Sequence, residues 1–559
     1  MKKTPHDPSL ISPLISPMAH ISLPLIPLLL ILLFIAALSF SSCSSCAAPD
    51  MPLAAGEDSA APVEEDSLII VLPSEAEPEA GFDPIYGWGA GEHVHEPLLQ
   101  STLTVTTAEL EIAYDLATDM VVSEDGLLWR VSLRDDAYFT DGQQLTAADV
   151  AFTYNRVREE SSVNDFTMLE KAVAVDAFTV EFHLNQPYSI WPYTMAHLGI
   201  VPEHAYGSEY GQQPIGSGRY QLIQWDRGQQ LILKANPNYY GQPPQLKKIV
   251  VLFMAEDAAL AAVRSGQVDM AYTAATYSEQ EISGYHLLSC ATVDNRGVNL
   301  PAQPFDGSKG NALTADPLVR QAIDLGLDRQ RMIDNVLNGY GSPAYSVCDN
   351  LPWYSPANEV AYTPDKAASL LEEAGWQLEK DGLRYKNGEL AELHLLYPTG
   401  DSVRQALAAE TANQLQALGI AADMEGVGWD VAYDLAQTQP LVWGWGAHTP
   451  MELYNIYHSV PGEGNAAYSP YYNQQVDSYM DQALRCPDWR ESYELWQAAQ
   501  WDGSGGLAED MPWVWLVNID HLYWVRDGLH VAEQKLHPHG HGWSILNNVD
   551  QWSWAEEAK

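Results

Sequence analysis

Basic residues are scarce in this chain: 28 Lys and Arg stand against 74 Asp and Glu in 559 residues, a formal charge of −46 at pH 7. A field of that sign repels phosphate backbones, which excludes nucleic acid as a partner. Cysteine is scarcer still, with five in all. Two of them, Cys43 and Cys46, lie near the N-terminus. The other three, Cys290, Cys348 and Cys486, cannot all pair and show no CxxC spacing, so a disulfide framework is not indicated. Enzyme signatures are missing as well: there is no GxSxG elbow, no GxxxxGK[ST] phosphate loop, no HExxH helix and no EF-hand loop. The glycines of "GWGAG" (87–91) lack the following helix that a dinucleotide site needs, and no cofactor is implied. No period of 20–50 residues repeats, which excludes a solenoid.

What is present is a globular composition, 46% hydrophobic and 10% aromatic with 18 Trp and 29 Tyr. The length predicts about three or four domain-sized units. Amphipathic aromatics in this number fill cores, and some can grip a ligand with one flat face and one polar tip. The N-terminus reads as a processing signal: Lys2 and Lys3, a Ser/Pro-rich spacer, then the apolar run 28–38. That run is too short to span a bilayer core of ~30 Å and fits the apolar region of a secretory signal. Past the signal, "AAPDMPLAAGEDSAAPVEED" (47–66) lacks the apolar periodicity of a packed element and reads as a tether.

Strand and helix patterns alternate through the body. In residues 128–157, Trp129, Val131 and Leu133 alternate with polar partners as a half-buried strand does, and Asp141-Gly142 marks a tight turn. Thr146 then caps a helix with Asp149 at its third position. Residues 316–341 open with an Asp-Pro cap, put Val319, Ala322 and Ile323 on one face, and contain a second helix starting at Asp328. Residues 363–376 repeat that punctuation from Thr363 to Gly375. Strands mixed with capped helices indicate an α/β architecture.

An ordered set of these segments resembles the family 5 extracytoplasmic solute-binding proteins, the dipeptide, oligopeptide and nickel binders of bacterial ABC importers. It comprises residues 66–89, 128–157, "VPEHAYG" (201–207), "PIGSGRYQLIQWDRGQQLILKANPNYYG" (214–241), "VRSGQVDMAY" (263–272), 316–341, 363–376, 408–420 and 472–484. It covers nearly everything after Asp66. "SFSSCSSC" (39–46) resembles a lipobox, with Cys43 as the lipidated residue, Phe40 in the place usually held by Leu, and Cys46 as a second candidate. An uncleaved signal anchor is the alternative.

The resemblance implies a two-lobed periplasmic-binding-protein type II fold that closes over one solute, with an extra subdomain in lobe one. On that template, residues 1–42 are the signal peptide, 43–66 the acidic Ala/Pro tether and 67–296 lobe one, with the subdomain at about 96–211. Residues 297–512 are lobe two, and 513–559 return to lobe one. The protein is expected as a monomer, held by its lipid on the extracytoplasmic face of the cell membrane and working with a permease and an ATPase.

Peptides are the leading solute class. Peptide-binding relatives often carry an Asp for the ligand's amine in the segment matching residues 443–459, and here that neighbourhood reads Ala447-His448-Thr449-Pro450. "WGAHTP" instead resembles nickel-type members, which hold a chelated metal with few protein ligands, so a nickel chelate or another metallophore is the alternative solute. By the same likeness Tyr86 and Trp88 come from lobe one, Phe166 from the subdomain, and Trp445 and His448 from lobe two. Arg219, where relatives commonly have Pro, is read as a solvated arginine near the hinge. A metallohydrolase using His93, His95 and the C-terminal histidines is the reading from another class, but no Glu stands at a spacing that serves as general base. A receptor that senses a peptide without importing it shares the same sequence features.

"HPHGHGW" (537–543) places three histidines on alternate positions. They share one face only if an extended strand continues through Gly540. The family template returns this stretch to lobe one near the cleft mouth, with His541 contacting the solute beside Trp543 and no metal held by the three rings.

Overall fold

The computed structural model describes residues 66–87, 96–161, 164–459, 468–540 and 542–555. The signal, the tether up to residue 65, Cys43, Cys46, Trp88, His93, His95 and His541 lie outside them. No helix among the described residues is long and apolar enough to cross a membrane.

The first large sheet has seven strands, in the order Tyr285–Cys290, His521–Arg526, Met270–Thr273, Ser67–Pro73, Lys248–Met254, Gln230–Ala235 and Tyr220–Asp226. Its centre is parallel: Ser67–Pro73 pairs with Lys248–Met254 on one side and Met270–Thr273 on the other. Burial on both faces explains the near-continuous apolar run SLIIVLP. Leu68, Ile70 and Leu72 pack under Trp543, Ile545, Leu546 and Val549 from the C-terminus. Val71 meets Ala259, Leu260 and Val263 of the helix Glu256–Arg264 on the opposite face.

Between Ser67–Pro73 and Tyr220–Asp226 the chain builds a four-stranded antiparallel sheet, ordered Ala117–Val122, Leu128–Leu133, Thr179–Leu184, Leu169–Asp176. Trp129, Val131 and Leu133 are buried as their alternation predicts. The helix Ala147–Glu160 covers them and begins in the capping box of Thr146 and Asp149.

The second lobe centres on strands Gly341–Pro343, Trp513–Ile519, Asn295–Asn299 and Val442–Trp443, with the parallel pair Glu392–Pro398 and Ala421–Val427 bridged to it at Leu396 and Leu441. Its helices Pro317–Gly326, Arg329–Val336 and Pro364–Glu373 fall where the caps predict, and Ser402–Ala417 begins ahead of the 408–420 segment.

Two neighbouring antiparallel connections join the lobes. One runs from Tyr285–Cys290 into Asn295–Asn299, the other from Trp513–Ile519 into His521–Arg526. A third segment straps them: His537 N–H donates to Ala291 O at 3.0 Å, Val293 N–H to His537 O at 2.9 Å, and His539 N–H to Gly446 O of the second lobe at 2.8 Å.

Candidate ligand cleft

In open α/β sheets, ligands sit outside the carboxyl ends of the strands. In the first lobe these ends carry Glu75 after Ser67–Pro73, Glu256 after Lys248–Met254, and Tyr272. Burial raises the Tyr272 pKa, and the charges that act on it are Asp294, Arg296, Glu256 and Glu75. This edge therefore faces the interlobe connections. In the second lobe the ends carry Asp401 and Arg404 after Glu392–Pro398, Trp429 after Ala421–Val427, and Gly444-Trp445 after Val442–Trp443.

Gly444 lies where two arginines meet. A β-carbon there would stand 2.7 Å from Arg296 Nη1 and 2.8 Å from Arg404 Nη2, so only glycine leaves room for both guanidiniums. Arg404 donates to Asp401 Oδ2 at 2.6 Å, yet burial and the Arg296 charge push its pKa down to about 10. Burial opposes the Arg296 charge too, but Asp294 overrides it and raises that pKa. The Nε of each arginine is buried without a hydrogen-bond partner among the described residues.

Asp294 is the hub of the connections. Its carboxylate accepts hydrogen bonds from Arg296 Nη1 and His539 Nδ1 and lies 3.3 Å from His521 Nε2. Burial would raise its pKa, but Arg296 and His539 hold it well below the usual range. The chain of contacts continues through His521 Nδ1 to His537 Nδ1 at 3.2 Å, and through His537 Nε2 to Gln534 Oε1 at 3.1 Å. The Gln534 amide nitrogen is committed to Ala532 O and Asn548 Oδ1, so its oxygen faces His537, which must donate from Nε2. His537 is neutral, with burial driving its pKa well below that of a free imidazole. Its Nδ1 can then only accept, from His521 Nδ1. The opening two histidines of "HPHGHGW" thus bond within the connections between the lobes, His537 fully buried and His539 largely so.

Trp445 and His448 share the loop that follows Val442–Trp443. Trp445 stacks on Trp443 at 5.3 Å and meets Trp513 edge-on at 5.1 Å. His448 is 1% exposed beside the Leu536 backbone and the Lys535–Glu96 ion pair, and burial lowers its pKa to about 3, so the ring is neutral. Glu452 sets the loop: its carboxylate accepts the N–H of Gly446 at 3.2 Å and of Ala447 at 3.0 Å, and burial lifts its pKa to about 8.

The other expected residues stand elsewhere. Tyr86 lines an outer cavity of about 480 Å³ with Asp83, Phe152, Arg156 and Tyr206, and its hydroxyl donates to Glu160 at 3.0 Å. Phe166 is 5% exposed, with ring contacts of 5.8 Å to both Tyr154 and Trp191. Arg219 is not solvated: it is largely buried and donates to Asp550 Oδ1 at 2.6 Å, which pins the C-terminal return to the first sheet. Asp294, Arg296, Arg404, Trp429 and Glu452 escaped the sequence reading. The i,i+4 pair Trp429 and Tyr433 after a strand-like segment was the one available signal. Among the described residues, no group of three or more His, Cys, Asp or Glu is arranged to hold a metal ion.

Residues 111–506 match the family model described as bacterial extracellular solute-binding proteins, family 5 middle. The chain belongs to this family. As a family 5 protein it is the extracytoplasmic solute-binding component of an ABC transporter. It is 31% identical to Protein XP55 of Streptomyces lividans over 82% of this chain and 85% of that one. It is 27% identical to the oligopeptide-binding protein AppA of Bacillus subtilis over 86% and 91%. Among solved family 5 folds, NikZ of Campylobacter jejuni, in complex with Ni(L-His), superposes with a TM-score of 0.69 at 22% identity, covering 88% of this chain and 100% of that one. AppA of Bacillus subtilis, in complex with a nonapeptide, superposes with a TM-score of 0.64 at 23% identity, covering 88% and 99%.

Proposed function

We propose that this chain is a lipid-anchored subunit that captures short peptides for import, and that Arg404, with Arg296, receives the free carboxylate of the peptide. The observation that carries this reading is the pair of guanidiniums at Gly444. Each guanidinium has one carboxylate, Asp294 for Arg296 and Asp401 for Arg404, and each keeps a buried Nε with no hydrogen-bond partner among the described residues, which leaves donor capacity for a ligand anion at the edge where the lobes meet. A ligand carboxylate can accept from that spare donor capacity through the planar fork of a guanidinium. The relationship to AppA, an oligopeptide-binding protein, supports the same class. The expected bounds, lobe one 67–296 with 513–559, its subdomain about 96–211 and lobe two 297–512, are redrawn so that the strands Asn295–Asn299 and Trp513–Ile519 go with the second-lobe sheet that they pair into. Trp88, Trp445, His448 and His541 are proposed as walls of the cleft.

A nickel chelate is the second reading, favoured by the neutral, buried ring of His448 and by the fold shared with NikZ. Titration calorimetry of the full chain in detergent separates the two, with Ala-Ala-Ala, its C-terminal amide and nickel–histidine as probes. The peptide reading expects the acid to bind at least ~10-fold tighter than the amide, about 1.4 kcal/mol, and R404Q to erase the difference. Equal binding of acid and amide, or binding of nickel–histidine alone, sinks it. The anchor is assigned to Cys43; palmitate labelling of cells should disappear in C43S, and labelling that survives there but is lost in C46S moves the anchor to Cys46.

A further inference from the structure

The second-lobe edge carries large aromatics that the carboxylate site does not use. Trp429 opens the helix Trp429–Leu435 directly after Ala421–Val427, and Tyr433 follows one turn later on the same face. Their ring centroids are 5.9 Å apart, and both lean on Trp443, at 5.7 and 5.4 Å. Trp443 itself is 3% exposed, while Trp429 and Tyr433 remain 42% and 38% exposed. The Arg404 guanidinium carbon lies 5.7 Å from the Trp429 ring centroid.

We infer that Trp429 and Tyr433 form a shelf for the side chain of the peptide's C-terminal residue, selecting an aromatic or large apolar one. The inference rests on the carboxylate reading above. A carboxylate seated on Arg404 brings the Cα of its residue beside the Trp429 ring, and the side chain on that Cα then has the shelf as its neighbour. Charge complementarity at Arg404 and exposed aromatic area beside it therefore specify one ligand end: an anion with a flat or bulky apolar group attached. An aromatic side chain buried there gains from area removed from water and from ring–ring contact. A short or acidic side chain gains neither, and the chain's excess of carboxylates disfavours the acidic one.

Calorimetry of the full chain with Ala-Ala-Phe, Ala-Ala-Ala and Ala-Ala-Glu tests this. The shelf predicts that Ala-Ala-Phe binds ~10-fold tighter than Ala-Ala-Ala, with Ala-Ala-Glu weakest. Trp429→Ala should bring Phe and Ala peptides within about 2-fold of each other, by loss of the aromatic contact. Trp429→Phe, which keeps a ring, should preserve most of the ratio, and Tyr433→Ala should reduce it if Trp429→Ala does not fold. Equal binding of Ala-Ala-Phe and Ala-Ala-Ala, or a ratio that survives both alanine variants, overturns the shelf and leaves the peptide reading standing. Binding of none of the three overturns both.

Discussion

Glu452 and Asp349 are carboxyl groups that the fold keeps from solvent without an ion pair among the described residues. Glu452 accepts two loop N–H groups, while Asp349 accepts the N–H of Tyr345 at 2.9 Å and the Asn518 amide at 3.2 Å. Burial raises Glu452 to about 8 and Asp349 to about 7. A carboxyl whose folded pKa exceeds its unfolded one keeps a proton that the unfolded chain has released. Its contribution to stability is full below the unfolded value of about 4 and declines as pH rises toward the folded value. Urea midpoints of wild type at pH 5.0, 6.5 and 8.0 should therefore carry a falling component that E452Q removes; parallel slopes for the two proteins would refute the assignment. Asp294 works in the opposite sense: held low by Arg296 and His539, its contribution is present above about pH 4 and lost only in stronger acid. None of this was legible residue by residue. Ala447 was readable as a missing acid, but that Glu452 turns back onto that loop depends on a helix turn that no spacing rule specifies.

Caps, turns and alternation carried further at the level of elements. The capping box at Thr146, the Asp316 and Asp328 caps and the buried alternation of Leu128–Leu133 all stand as read, because each involves partners within a few residues. The strap at 537–539 was harder. Its glycine-rich neighbourhood argued against a shared face for the histidines, and its partners Ala291, Val293 and Gly446 are supplied by distant segments. Gly446 is the point where the strap meets the second lobe. Its φ of +148° and the 2.3 Å that would separate a β-carbon from Val293 O leave no room for alanine. G446A should cost about 2 kcal/mol or more of stability, from backbone strain and the displaced connection. Chemical denaturation measures it, and a midpoint equal to wild type would show that the strap yields freely.

At the scale of the whole molecule, local pattern and the order of family-like segments already specified the mixed architecture, the two lobes and the solute-binding class. The mixed architecture is written in short-range chemistry, in where a helix can start, which strand faces are apolar and where glycine must stop an element, whereas the two lobes and the solute-binding class came from the resemblance that the ordered segments carry. The cleft is not. Arg296 and Arg404 are separated by more than a hundred residues, and Asp294 meets His539 across 245 positions. Whether such groups become a ligand edge with spare donors or a neutralised hinge depends on desolvation and on distances of a few ångströms, which are set only when the two sheets close on each other. The sequence determined which elements form and in what order; the tertiary structure alone decided which of its many charged and aromatic side chains share the space between the lobes.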